Sequence, residues 1–123
     1  MPTHAAAFTA AIATRDREKL ADLFVADVDF RALTPGRQWE AHTPEEVTAI
    51  ILDHWFEEQD RVIAVHLLEA ATIVDTERMG YRFELETPDG SHLVEQQAYY
   101  RTDGDRFTWV RVLCSGFRPV ATA

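Results

Sequence analysis

Apolar positions repeat with a helical period early in the chain and with a period of two later on. Ala5, Phe8 and Ile12 form a narrow stripe at helical spacing and predict a helix over residues 3–14. Asp16 is placed to cap a second helix, whose apolar face is Leu20, Leu23 and Phe24 and which ends near Val25. Together the two predict a bent arm. Asp29-Phe30-Arg31-Ala32-Leu33 alternates and runs into the turn signal Thr34-Pro35-Gly36, so a short strand is expected there, with room for another from Arg37 to Ala41 around Trp39. Thr43-Pro44-Glu45-Glu46 combines a capping threonine, a proline at the first helical position and a glutamate completing a capping box. The helix it opens runs to about Glu57, with Val47, Ile50, Ile51, His54 and Trp55 on its apolar face and Glu58 extending that stripe.

From residue 61 to 75 the chain is rich in Val, Ile and Leu with few breakers. It predicts one long strand, with room for a bulge at Glu69-Ala70-Ala71 and a turn at Thr76-Glu77-Arg78. Residues 79–87 then alternate Tyr81, Phe83 and Leu85 against Arg82, Glu84 and Glu86, and Pro88-Asp89-Gly90 turns the chain back. The stretch from Ser91 to Pro119 reads as two long strands joined at Asp103-Gly104, a strong hairpin signal. With a two-residue turn there, Tyr100 faces Phe107 and Gln97 faces Val110. One face then carries Leu93, Glu95, Gln97, Tyr99, Thr108, Val110, Val112 and Cys114, and the other Val94, Gln96, Ala98, Tyr100, Phe107, Trp109, Arg111 and Leu113. Both faces hold large apolar groups, so both are expected to be covered, one by the chain's own helices and the other by a second subunit.

Helices first and a meander of four long antiparallel strands afterwards make the fold class α+β: a curved, cone-shaped antiparallel sheet covered by three N-terminal helices. A length of 123 residues predicts a single domain over 1–123, with a core from 3 to 118 and a loose tail from 119 to 123. Composition narrows the function. Net charge is −9, from 21 acidic and 12 basic residues, without a basic aromatic stripe, which argues against nucleic acid as a partner. Cys114 is the single cysteine, so neither an internal disulfide nor a cysteine zinc cluster can form, and a reduced, cytoplasmic setting fits. The alanine-rich start lacks a basic segment and reads as a helix rather than a leader. No apolar run approaches the ~20 residues that span a bilayer, so no membrane partner is expected. No histidine–glutamate spacing matches a metal motif, and neither a metal site nor a cofactor is read.

With this order of elements, the stretch LADLFVADVDF and the late stretch VEQQAYYRTDGDRFTWVRVLCSGF, the chain resembles the nuclear transport factor 2-like superfamily, and within it the SnoaL-like and ketosteroid-isomerase-like branch. The likeness covers about residues 3–118. It includes the opening D-x-x-x-L-x-x-L-F-x-x-D, present as Asp16, Leu20, Leu23, Phe24 and Asp27. The resemblance implies a helix-covered conical pocket, commonly a homodimer through the sheet's outer face, and functions from isomerases, cyclases, dehydratases and epoxide hydrolases to non-enzymatic scaffolds. A ketosteroid isomerase uses an aspartate base and an oxyanion hole of a tyrosine and a protonated acid. An ungapped comparison puts Phe8 at the tyrosine, Ala32 at the base and Gln97 near the acid. Phe8 has no hydroxyl, Ala32 no base and Gln97 no exchangeable acid proton, so ketosteroid isomerisation is not expected.

The same comparison turns Val110, Val112 and Cys114 inward, and the hairpin register then brings Glu95, Gln97 and Tyr99 beside them. Glu95 is the candidate catalytic group, because a carboxylate facing a closed cavity is desolvated and suited to acid–base work; its structural alternative is a salt bridge to Arg82. Gln97 and Tyr99 could orient a ligand carbonyl or hydroxyl, or serve a sheet-holding network. His54, Trp39 and Trp55 are candidates for the pocket wall, or for core. Cys114 lacks an adjacent group that would activate a thiolate, so a small buried hydrophobe is its plainer reading. Tyr100, Phe107, Trp109 and Arg111 are expected in a homodimer interface. Two functions remain open. One is a small-molecule-binding domain for an apolar, carbonyl- or hydroxyl-bearing ligand, with cofactor-free lyase, isomerase or cyclase chemistry on Glu95. The other is a non-catalytic dimerisation or scaffold module with a vestigial pocket.

Overall fold

Every α-helix starts on a side-chain cap that the sequence supplies. In the computed structural model, which describes residues 3–120, Thr3 Oγ1 accepts from the Ala6 N–H (3.0 Å) and opens α1, His4–Ala13. Asp16 Oδ1 accepts from the Lys19 N–H (3.0 Å) and opens α2, Arg17–Ala21. Thr43 Oγ1 accepts from the Glu46 N–H (3.1 Å) at the start of α3, Pro44–Ala49, and the Glu46 carboxylate accepts from the His42 N–H (3.2 Å). Past Ala49 the helix widens into a π-helical segment, Ile50–Trp55. The wider turn brings Leu52 into the core and leaves His54 exposed, whereas an unbroken α-helical period would have buried His54.

The second helix is shorter than its apolar stripe suggests. It ends at Ala21, because the Leu23 carbonyl accepts from the Phe107 N–H (2.7 Å) and Phe24 pairs with Phe107. That pairing starts β1, Phe24–Thr34, which is eleven residues long where five were expected. The other strands are β2 Arg37–Ala41, β3 Arg61–Ile73, β4 Thr76–Thr87, β5 Gly90–Asp103, β6 Arg106–Cys114 and β7 Arg118–Pro119. They form one curved sheet in the order β2-β1-β6-β5-β4-β3, with β7 added on β5. The sheet is mixed, since β1 runs parallel to β6, so the expected antiparallel meander is one part of a larger sheet. The turn before β4 falls at Val74-Asp75 rather than at Thr76-Glu77-Arg78, with Val74 at φ 56°. Arg118 and Pro119 pair with Leu93 and His92, and the Val120 N–H donates to the Ser91 carbonyl (3.0 Å), so the described part of the expected loose tail is held by the sheet. The rest of that tail, residues 121–123, lies outside the described residues.

The hairpin of β5 and β6 departs most from expectation. Its two loop residues are Gly104-Asp105, with Asp103 opposite Arg106. Moving the turn by one position leaves the faces of the strands unchanged. An irregularity after Thr102 adds Thr108 to β6, however, so Tyr100 pairs with Val110 and Gln96 with Cys114. One extra residue exchanges the faces of β5 relative to β6. The inner face therefore holds Val94, Gln96, Ala98 and Tyr100 together with Phe107, Val110, Val112 and Cys114. On β4, Tyr81, Phe83 and Leu85 lie on the same side. The core forms between this face and the helices. Phe8 of α1 meets Phe24, Tyr81 and Phe107 edge-on, with ring centres 5.7–6.3 Å apart.

Candidate functional site

A cavity of about 170 Å3 remains where the helical layer meets the end of the sheet. Trp39 of β2, His54, Trp55 and Phe56 of the π-helical end, Val94 of β5, Cys114 of β6 and Phe117 before β7 wall it, and Thr34 of β1 and Gln96 of β5 are the polar groups of its sheet side. The widened helix matters here. It ends by delivering three consecutive large side chains, His54-Trp55-Phe56, to one rim.

A row of three side chains crosses the inner face beneath the cavity. Tyr81 is opposite Gln96, and Gln96 is opposite Cys114. Side chains directly opposite in this way sit about 5 Å apart at Cβ. The Tyr81 hydroxyl donates to the Gln96 side-chain oxygen at 2.5 Å. Tyr81 is wholly buried, and burial pushes its phenol well above the ordinary value, with the nearby Cys114 thiol adding to the effect. The phenol is thus a fixed donor. Gln96 is 4% exposed and takes no hydrogen bond besides that from Tyr81. A carboxamide has two polar ends. One is spent on Tyr81; the other is left on the cavity side. The Gly116 N–H donates to Cys114 Sγ at 3.3 Å. Trp39 donates its indole N–H to Thr34 Oγ1 (2.8 Å) and is stacked under Arg37, whose guanidinium lies 3.6 Å from the ring centre. The Trp55 indole N–H is buried without a partner.

Several expected site residues lie elsewhere. Glu95 is on the outer face, where Arg82, its register partner, reaches its carboxylate at 2.8 Å. The structural alternative for that carboxylate is the one observed, and no Asp or Glu lines the cavity. Gln97 also faces outward, accepting from Arg78 (3.0 Å), and Tyr99 is an exposed outer residue. Thr108 at the bulge is the physical cause of all three displacements. Val112 is on the inner face as expected but belongs to the core beside Ala98 and Ala32, not to the cavity wall. Trp39, His54, Trp55 and Cys114 do line the cavity. Gln96 and Tyr81 were missed. Yet the alternation of β4 marks Tyr81, Phe83 and Leu85 as its buried side, and a two-residue turn at Pro88-Asp89 carries that side over to Val94, Gln96 and Ala98.

The expected interface residues divide as well. Tyr100 and Phe107 are core, while Trp109 and Arg111 are on the outer face. There Trp109 is held between Arg101 and Arg111, whose guanidinium carbons lie 4.6 and 4.5 Å from its ring centre. Arg111 also donates to the Asp29 carboxylate at 3.2 Å, which lowers the Asp29 pKa. Leu33 and Leu113, paired across β1 and β6, are 52% and 60% exposed beside this cluster.

The architecture is that of the ketosteroid-isomerase-like, or nuclear transport factor 2-like, fold. A protein of ketosteroid-isomerase-like fold from Catenulispora acidiphila, solved with trimethylamine, superposes with a TM-score of 0.74 at 17% identity, over 94% of this chain and 87% of that one. An LEH-like epoxide hydrolase from M. tuberculosis gives 0.67 at 11%, over 91% and 80%. An NTF-2-like protein of unknown function from Burkholderia xenovorans gives 0.66 at 11%, over 98% and 84%. No protein-family model matches the chain, and no curated protein matches it. Among the described residues, no helix is long and apolar enough to cross a membrane.

Proposed function

We propose that this chain is a small-molecule-binding domain whose ligand is compact, neutral and mostly apolar, with one carbonyl or hydroxyl. The carrying observation is the half-used carboxamide of Gln96. The end of the amide that Tyr81 does not use has no partner within the chain and is open to water or a ligand. Trp39, Trp55, Phe56 and Phe117 supply the apolar wall. The volume limits the ligand to about one six-membered ring, since an apolar cavity of about 150 Å3 takes benzene. The trimethylamine of the Catenulispora protein suggests another occupant, a small ammonium. Here Trp39 already stacks on the Arg37 cation and no carboxylate lines the wall, which favours a neutral guest. Acid–base chemistry on a carboxylate has no support in this cavity, because Glu95 is outside it. Phe8 and Ala32, inside the fold, bring neither a hydroxyl nor a base.

The test is a titration with cyclohexanone and with cyclohexane followed by tryptophan fluorescence. Saturable quenching by the ketone, lost in Val94→Phe, which fills the cavity, is expected. Equal responses to both compounds, or a response that survives Val94→Phe, would remove the site.

A second reading rests on the cavity's size. At about 170 Å3 it is smaller than the ~300 Å3 of an ordinary ligand pocket. That favours a non-catalytic dimerisation module joined through the outer face around Trp109, Arg111, Leu33 and Leu113. The two readings are compatible, since the surfaces lie on opposite sides of the sheet. In sedimentation experiments Leu113→Glu should convert a dimer to a monomer; a wild-type chain that is monomeric at high micromolar concentration rules the interface out.

A further inference from the structure

Cys114 and the free end of Gln96 share one cavity and sit directly opposite each other on neighbouring strands. A cysteine alone would be a small hydrophobe. Here Gln96, a residue only 4% exposed, bonds Tyr81 with one end of its amide and nothing in the chain with the other, and the Trp55 indole N–H of the same cavity is buried without a partner. Tyr81 decides how the amide is turned. If its oxygen faces Tyr81, its NH2 meets the cavity. If the amide is reversed, the NH2 bonds the phenol oxygen and the Tyr81 proton turns to another acceptor, which the structure does not provide. The first orientation is the satisfied one, and it presents N–H donors beside the thiol.

We infer that this pair is a capture site for a conjugated carbonyl compound, an enone or enal no larger than one ring, which Cys114 takes up as a covalent adduct. This rests on the ligand-binding reading and gives the ligand a chemical class. The step balances without a co-reactant. The thiol loses its proton to solvent, and sulfur bonds to the β-carbon as the carbon–carbon π bond breaks. The electron pair moves towards the carbonyl oxygen, where the Gln96 N–H stabilises the enolate, and a proton from water closes the α-carbon. Three bonds separate the β-carbon from the oxygen of an enone, a span that suits two side chains opposed across a strand pair. The Gly116 N–H holds the sulfur in place from the other side. Reversal of the same steps releases the enone unchanged.

Because Cys114 is the only cysteine, intact-mass spectrometry of the full chain reads the site without ambiguity. Cyclohex-2-enone is added to the protein and to glutathione at equal thiol concentration. Methyl methanethiolsulfonate, which needs no carbonyl activation, calibrates access to each thiol. The expected result is a single adduct, with an enone rate relative to the calibrating reagent at least about tenfold above that of glutathione. Gln96→Met should lower that ratio about tenfold, the calibrating reagent correcting for any change in access to the thiol. The wild-type ratio stands as a test even if that variant folds poorly. Saturated cyclohexanone supplies the control, since it binds without reacting. If it slows methanethiolation while the enone shows no excess rate, the capture site is refuted and the binding site survives. If it gives no protection and the enone shows no excess, both are refuted.

Discussion

Removing the Tyr81 hydroxyl, the Gln96 amide, or both tests the inner row in one experiment. Tyr81 is wholly buried and its hydroxyl has a single partner, the Gln96 oxygen at 2.5 Å. Tyr81→Phe deletes one buried hydrogen bond and opens little space, so it should cost about 1–2 kcal/mol. Gln96→Met keeps the length of the side chain but strands a buried phenol, which should cost about 1–3 kcal/mol. With both changed, neither partner is left unsatisfied and the row becomes apolar. The double variant should therefore be more stable than the summed singles imply, by a coupling of about 1–2 kcal/mol. Urea unfolding followed by circular dichroism measures all three, and each kcal/mol should move the thermal midpoint by roughly 3–5 °C in a domain of this size. The same cycle with Gln97→Met in place of Gln96→Met should show no coupling to Tyr81, because Gln97 is on the opposite face. A coupling below about 0.3 kcal/mol for Gln96, or a larger one for Gln97, would refute the strand register on which the site depends.

Alkaline stability should depend on Tyr81. Burial raises its pKa in the folded chain above the ordinary value near 10, so the unfolded chain releases that proton first. Its contribution is intact below about pH 10 and is lost as the pH climbs beyond that, with a slope of up to about 1.4 kcal/mol per pH unit. Tyr81→Phe should flatten the alkaline limb of a stability profile, and an unchanged limb would contradict the burial. Gly116→Ala should destabilise by about 1–3 kcal/mol, because Gly116 has φ 74° and an added Cβ would lie 2.7 Å from Pro35 Cγ. That same change displaces the neighbouring Phe117 wall, so it should also weaken ketone binding; full retention of stability would sink the argument. Asp29→Asn should remove part of the acid limb instead. The Arg111 bond holds the Asp29 pKa down, so its contribution is present above the ordinary carboxylate range and is lost as the pH falls through it.

The elements that local chemistry dictates were legible. Asp16 and Thr43 cap the helices they were expected to cap. The superfamily likeness matches the observed fold. What escaped is what local pattern does not encode. Both faces of β5 carry apolar side chains, so alternation alone could not decide which faces the helices, and Thr108 reversed the answer. Nothing in Ile50-Ile51-Leu52 distinguishes a π turn from an α turn, and the fate of Leu52 and His54 follows from that choice. Trp39, His54, Trp55 and Cys114 meet the cavity from positions that did not depend on the hairpin pairing, whereas Glu95, Gln97 and Tyr99 depended on it entirely. Each polar residue that was sought has an inward neighbour in sequence or across the ladder, and Gln96 could have been found from the Pro88-Asp89 turn.

Nitrogen-edited NMR of the side-chain amides tests the ligand site most directly. Titration with cyclohexanone should shift the Gln96 NH2 resonances saturably and leave those of Gln97 in place. A shift at Gln97 with none at Gln96, or no saturable change at either, would contradict a cavity that receives its ligand on the Gln96 amide.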